Sequence, residues 1–204
     1  MDDIRNLKAL QLDALREVAN IGAGHAATAL SQMTGHTIMI NVPYINIVPL
    51  EDIPNQIGSQ EEPVAAVLMK ILGDLTGLAL LLLPQATAFR VAGLMMKKPD
   101  IAVLGEIERS ALREAGNILS AAYLNALSEF MGMILLPSPP SLAIDLSDAV
   151  LSSTFLEIAQ GAEHVFCVET EFQLKELNES LRGFFLLLPD VASLDAILRA
   201  IRVA

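Results

Sequence analysis

Only one cysteine, Cys167, occurs among the 204 residues. No internal disulfide can form, so a stapled secreted scaffold is excluded and a reducing, cytoplasmic setting is expected. Basic residues are scarce, with 13 Lys plus Arg against 24 Asp plus Glu, a formal net charge of −11 and a pI near 4.6. That balance argues against a broad basic surface for nucleic acid. A membrane span needs about 20 consecutive apolar residues, and the nearest candidate, Pro63 to Pro84, is interrupted by Lys70, Gly73, Asp74 and Gly77. Its two short runs suit buried strands, so no membrane insertion is expected. The start, Met1-Asp2-Asp3, lacks the basic-then-apolar order of a signal peptide. Histidine is also sparse: of His25, His36 and His164, only His164 lies near Cys167, and that pair supplies too few ligands for a metal site.

What is abundant is apolar. Hydrophobic residues make up 53% and charged residues 18%, which excludes disorder over most of the length and is enough for one full core. Leu12, Leu15, Ala19, Ala23, Ala26, Leu30 and Met33 recur at three- and four-residue steps, predicting an amphipathic helix from about Leu10 to Met33 that stops at Gly35. Thr37 to Val48 reads as an edge strand with an irregularity at Pro43, and Asp52 to Gly58 as a short helix or loop. Val64 to Leu72 and Thr76 to Leu83 read as strands joined at Gly73-Asp74, followed by a helix from Ala86 to Met96 whose end suits Lys97-Lys98-Pro99. The order then restarts. Ile101 to Phe130 is predicted helical, Met133 to Leu136 extended and Ser138-Pro139-Pro140-Ser141 rigid. Ala149 to Ala159 is predicted as helix, Val165 to Gln173 and Leu181 to Leu188 as strands, and Val191 to Val203 as a closing helix.

Adding 97 to Ala14, Leu15, Arg16, Glu17, Asn20, Ile21, Ala29, Leu30, Ser31, Gly35 and Pro43 reaches an identical residue each time, eleven matches in the 31 positions from Asp13 to Pro43. Gly77-Leu-Ala-Leu-Leu-Leu-Leu-Pro84 is echoed by Gly183-Phe-Phe-Leu-Leu-Leu-Pro189. The chain is therefore an internal duplication, with repeats of about 1–98 and 99–204. Each repeat holds too little to cover a sheet alone. The expected fold is of the α/β class in the α+β sense: one domain over 1–204, about six strands, helices packed on the sheet, and a pseudo-twofold axis between the repeats.

Residues three and four apart share a helix face, so Asp13, Glu17 and Asn20 make one polar ridge and Ser110, Glu114 and Asn117 its counterpart. A solvated helix needs polar residues, but asparagine is a poor choice within one because its side chain competes for backbone hydrogen bonds. Small residues follow each ridge, Gly22-Ala23-Gly24 and Ser120-Ala121-Ala122, and are expected to leave room for a close partner. A carboxylate and an amide at this spacing suit holding a cation on a partner and orienting a water beside a group that the partner carries.

These residues resemble the motif of the CheC family of chemotaxis phosphatases, related to CheX and FliY: Asp or Ser, three residues, Glu, two residues, Asn, twenty-two residues, Pro. Asp13, Glu17, Asn20 and Pro43 fit it, and Ser110, Glu114, Asn117 and Pro140 fit it again. The resemblance implies hydrolysis of the aspartyl phosphate on the response regulator CheY. Glu17 and Glu114 would engage the regulator's lysine, and Asn20 and Asn117 would place water in line with phosphorus. Asp13 and Ser110 would shape the contact, while Pro43 and Pro140 would fix the segment beside each helix. No cofactor or metal of its own is implied, Mg²⁺ being expected on the partner regulator. The resemblance also implies binding of the deamidase CheD, with Asp145, Asp148 and the segment Ala149 to Ile158 as candidate surface; a solvated helix start accounts for the same acids. The reading from another class is a non-catalytic adaptor that binds the regulator or CheD. Gly22-Ala-Gly24-His-Ala-Ala27 matches part of a dinucleotide fingerprint, but it follows a helical pattern where that motif needs a strand.

Overall fold

The computed structural model describes residues 9–57, 61–98, 100–158 and 164–203. The sequence expectations at Met1-Asp2-Asp3, Gly58, Pro99 and Ala159 lie outside the described residues. The chain runs α1 (Ala9–Thr34), β1 (Ile38–Asn41), β2 (Ile45–Pro49), α2 (Ile53–Ile57), β3 (Pro63–Gly73), β4 (Gly77–Pro84) and α3 (Gln85–Met96). It continues α4 (Glu106–Met131), β5 (Leu135–Pro137), β6 (Ser141–Leu146), α5 (Ser147–Ile158), β7 (His164–Leu174), β8 (Glu179–Pro189) and α6 (Val191–Val203). Short 3₁₀ turns occupy Leu50–Asp52 and Lys175–Leu177.

All ladders are antiparallel, in the order β1-β7-β8-β4-β3-β5, with β2 also on β7 and β6 also on β3. The eight segments thus fill six strand positions, because each edge position is one strand broken in two. The breaks fall at Val42–Tyr44 and Ser138–Pro140, where Pro43 and Pro140 interrupt the ladder. The β4–β8 pair lies at the centre, with Leu82 opposite Phe184 and Leu80 opposite Leu186. On either side of it, β3 and β7 take equivalent places.

Strand alternation divides the core in two. Ala65, Val67, Ala79, Leu81, Phe166, Val168, Phe185 and Leu187 face α1, α3, α4 and α6, while Ala66, Leu80, Leu82, Val165, Cys167, Phe184 and Leu186 face α2 and α5. β4 is buried on both faces, which is why it reads as an unbroken apolar run.

Two expectations are corrected. The helix predicted from Ile101 begins only at Glu106, since Gly105 is extended and the half-buried Ile101 and Leu104 lie against the core as a connecting segment. The stretch Ser141–Leu146 is a strand, β6, which sequence reading missed; it spans only 6 residues and half-buries Leu142 and Ile144 alone, a weak two-residue rhythm.

The repeated positions now have physical reasons. Leu15 and Leu112, and Leu30 and Leu127, are core residues. Gly35 (φ +78°) and Gly132 (φ +64°) terminate α1 and α4 in the left-handed region that only glycine enters freely. Ser31 and Ser128 tie each helix end to the chain just beyond it: the Ser31 hydroxyl accepts from the Ile38 N–H at 2.9 Å, and the Ser128 hydroxyl donates to the Met133 carbonyl.

Of the small residues after the first ridge, Gly22 and Ala23 serve packing rather than clearance, while Gly24 faces open space. A Cβ on Gly22 would stand 3.0 Å from the backbone of Ala122 and Tyr123, where α1 crosses α4, whereas a Cβ on Gly24 would meet nothing within 4 Å. Gly22→Ala is therefore expected to lower stability by about 1–3 kcal/mol through overpacking. Gly24→Ala should raise it by about 0.5–1 kcal/mol through helix propensity. Thermal or urea unfolding of the two variants checks both signs.

Two buried groups set the response to alkali. Burial pushes the Tyr123 phenol up to about 12, against a lowering contribution from its hydrogen bond with Thr170 at 3.1 Å. Burial pushes the Cys167 thiol up to about 12, with Glu169 adding and Arg182 opposing. Both groups ionise first in the unfolded chain, so their stability is complete below the ordinary thiol and phenol values and is lost as pH rises toward 12. Unfolding free energies from urea titrations at pH 8 to 12 should fall by up to about 1.4 kcal/mol per pH unit for each group. Tyr123→Phe should remove the tyrosine's share of that slope.

Candidate functional site

The two ridges lie on the solvent sides of α1 and α4. Asp13, Glu17 and Asn20 are exposed, as are Ser110 and Glu114, while Asn117 is half-buried. Behind them Leu15, Val18 and Ala19 on α1, and Leu112, Ala115 and Leu119 on α4, pack into the shared core. The apolar stripe of each helix thereby fixes which way its ridge points. Glu to Asn is one step of three residues, about 4.5 Å along the axis.

The ridges are equivalent in position and different in detail. On α1, Asp13 pairs with Arg16 at 3.0 Å. On α4 the matching residue is Ser110, and Arg113 has no ion pair among the described residues. The Asn20 carbonyl oxygen accepts a hydrogen bond from the Val42 N–H at 3.3 Å. Val42 sits in the break between β1 and β2, where Pro43 ends the ladder and leaves this N–H without a strand partner. Pro43 thus acts from beside the site. The residue matching Val42 is Pro139, which has no N–H to give. That break is instead tied by Ser138, whose N–H donates to the Lys70 carbonyl and whose hydroxyl accepts from the Lys70 N–H, both at 2.9 Å.

Structural need consequently explains only part of the repeated motif. Asn20 caps a stranded backbone donor, an interaction that sequence reading missed. Asn117 has no such task. Among the described residues Glu17, Glu114 and Asn117 make no side-chain hydrogen bond or ion pair. A carboxylate without a partner among the described residues stands at matching points on two helices, beside an amide whose NH₂ group is likewise unengaged, and the two offer an acceptor for a cation and a donor for water.

The other candidates separate from the ridges. Asp145 is exposed on β6 opposite Val64, which faces α2 and α5, and its carboxylate accepts from the Leu146 N–H at 2.8 Å. It is a strand residue, so the helix-start explanation covers Asp148 alone, exposed in the first turn of α5. Both acids therefore lie toward the sheet face away from the ridges. Among the described residues no group of three or more His, Cys, Asp or Glu could hold a metal ion, and no helix is long and apolar enough to cross a membrane.

Fold and ridges together define an internally duplicated α+β module that displays the same polar pair twice. The CheC-like family pattern matches residues 10–47 and again 107–144, two segments 97 residues apart. The chain is 33% identical to the CheY-P phosphatase CheC of Bacillus subtilis over 98% of each protein. Among solved structures, FliY of Thermotoga maritima superposes with a TM-score of 0.80 at 25% identity, covering 97% of this chain and 98% of that one. The middle domain of FliM from H. pylori superposes with a TM-score of 0.63 at 15% identity, covering 95% and 99%, and shares the fold. The chain belongs to the CheC-like family.

The stability cost of altering the ridge should follow its contacts. Glu17→Ala and Glu114→Ala are expected to leave stability within about 0.5 kcal/mol of wild type. Asn20→Ala strands the Val42 N–H and should cost about 1 kcal/mol, while Asn117→Ala should not. Urea denaturation of the four variants tests this contrast.

Proposed function

We propose that the chain is a cytoplasmic phosphatase that hydrolyses the aspartyl phosphate of the response regulator CheY, with one site on each repeat. The observation that carries this reading is the recurrence of Glu114 and Asn117 without a side-chain partner among the described residues. Core packing explains why Leu and Ala recur, and helix termination explains Gly and Ser; neither explains a repeated free carboxylate, nor an asparagine kept at 117 where no backbone donor needs it. The near full-length relationship to a CheY-P phosphatase supports the same reading.

In this mechanism Glu17 or Glu114 engages the lysine of the docked regulator, fixing the helix against its phosphorylated face. Asn20 or Asn117 then orients a water in line with phosphorus. An acyl phosphate is already labile, so the residues needed are those that position the attack. Mg²⁺ and the phosphorylated aspartate belong to the regulator, and this chain supplies no metal or cofactor. Asp13 and Ser110 shape the edge of each contact, and Pro43 and Pro140 hold the neighbouring strand break. With a net charge of −11, docking on an acidic regulator relies on local complementarity at the ridges. CheD is assigned to the opposite side, at Asp145, Asp148 and α5, which leaves both ridges open while it is bound.

The test is the decay of phosphorylated CheY from the same genome, in Mg²⁺, with wild type, Asn20→Ala, Asn117→Ala and the double variant. Wild type should speed decay, each single variant should retain part of the effect, and the double variant should abolish it. Binding without any acceleration, with or without CheD, would overturn the hydrolytic reading in favour of an adaptor.

A further inference from the structure

The geometry points to the Val42 backbone N–H as a positioning group for the Asn20 amide, and to Pro139 as its deletion in the second repeat, so that the two sites differ in readiness. This inference rests on the phosphatase reading for its kinetic consequence and on the hydrogen bond alone for its structural one. An N–H donor needs an acceptor, and of the two ends of an asparagine amide only the oxygen is one. The 3.3 Å contact from Val42 therefore decides which way round the Asn20 amide sits. Because the amide is planar, anchoring its oxygen also aims its NH₂ group. The carbonyl keeps a second lone pair, and accepting one hydrogen bond strengthens the NH₂ donors. Asn20 is thus held with both capacities ready for water before any partner arrives.

Asn117 lacks this anchor for a covalent reason. At position 139 the chain carries proline, and no rotation or relaxation restores a donor there. Neighbouring Ser138 spends its N–H and hydroxyl on Lys70, so it does not substitute. The Asn117 side chain must instead be ordered by the docked partner, a cost that the first site has already met in folding. The difference acts on the positioning of water and not on docking, so it belongs in kcat rather than KM.

Two substitutions exchange the devices. Val42→Pro gives the first repeat the Pro-Pro sequence of the second; Val42 lies outside both ladders, and its N–H donates only to Asn20. Pro139→Val restores an N–H in the second. The first readout is NMR relaxation of the side-chain NH₂ groups in the free protein, which needs no activity. Asn20 should show an order parameter near that of rigid backbone, about 0.85, and Asn117 one below about 0.6. Val42→Pro should mobilise Asn20, and Pro139→Val should rigidify Asn117. The second readout is single-site kinetics on the phosphorylated regulator. In the Asn117→Ala background, Val42→Pro should lower kcat about threefold with KM unchanged; in the Asn20→Ala background, Pro139→Val should raise it by a similar factor.

Equal mobility of the two amides, or a Val42→Pro variant whose Asn20 amide and kcat both match wild type, would overturn the inference. Should Val42→Pro fail to fold, the Pro139→Val pair of measurements decides alone: no rigidification and no gain in kcat would sink it. A rigid Asn20 in a wild-type protein that does not speed decay upholds the positioning while overturning the phosphatase reading.

Discussion

Every strand in this protein needs a hydrogen-bonded neighbour, and each repeat finds one of its neighbours only in the other. The edge strand of the first half, β1 with β2, pairs with β7 of the second; the edge strand of the second half, β5 with β6, pairs with β3 of the first. Between them β4 and β8 form the central seam. A half taken alone would leave a long apolar strand with an open edge, which folded proteins avoid. The two halves are therefore interlocked by backbone bonding as well as by the shared core, and the long helices α1 and α4 are forced to cross on one face of one sheet.

That crossing is what makes the surface pattern informative. At a helix–helix contact, small residues are demanded by packing, as Gly22 against Ala122 and Tyr123 illustrates. On the far side of the same helices no packing demand exists, and a duplicated surface residue is free to drift. Arg16 and Arg113, and Glu17 and Glu114, nevertheless recur together with the asparagines. Solvation alone would be satisfied by any polar residue at the Glu and Asn positions. The proposed chemistry accounts for the recurrence of these particular groups, and on that proposal the fold presents it twice in the same orientation.

The repeats have also diverged where their backbones permit it. Asp13 neutralises Arg16 in one, while Ser110 leaves Arg113 without an ion pair among the described residues in the other. Val42 supplies a donor where Pro139 cannot. Both differences surround an unchanged glutamate and asparagine, so the common residues and their settings have been under different constraints.

Much of this was legible in the chain itself, because periodicity, repetition and breakers are local. The 97-residue recurrence, the two amphipathic helices, the doubly buried β4 run and the disturbance at Pro43 all follow from side-chain type and spacing. The ridges follow as well, since residues three and four apart must share a helix face. Other features depend on contacts between distant segments, and spacing alone does not reveal them. β6 is a strand because β3 offers it an edge, not because its own six residues insist on it. Gly22 is a packing glycine only because α4 passes 3.0 Å from where its Cβ would be, while Gly24, two residues on, meets nothing. Asn20 has its oxygen turned inward because a proline 23 residues later frees the N–H of Val42 at the same point in space. Sequence determined which groups are available and on which face of each helix they stand; the tertiary structure decided which of them are already engaged, because a hydrogen bond depends on where both partners sit in space.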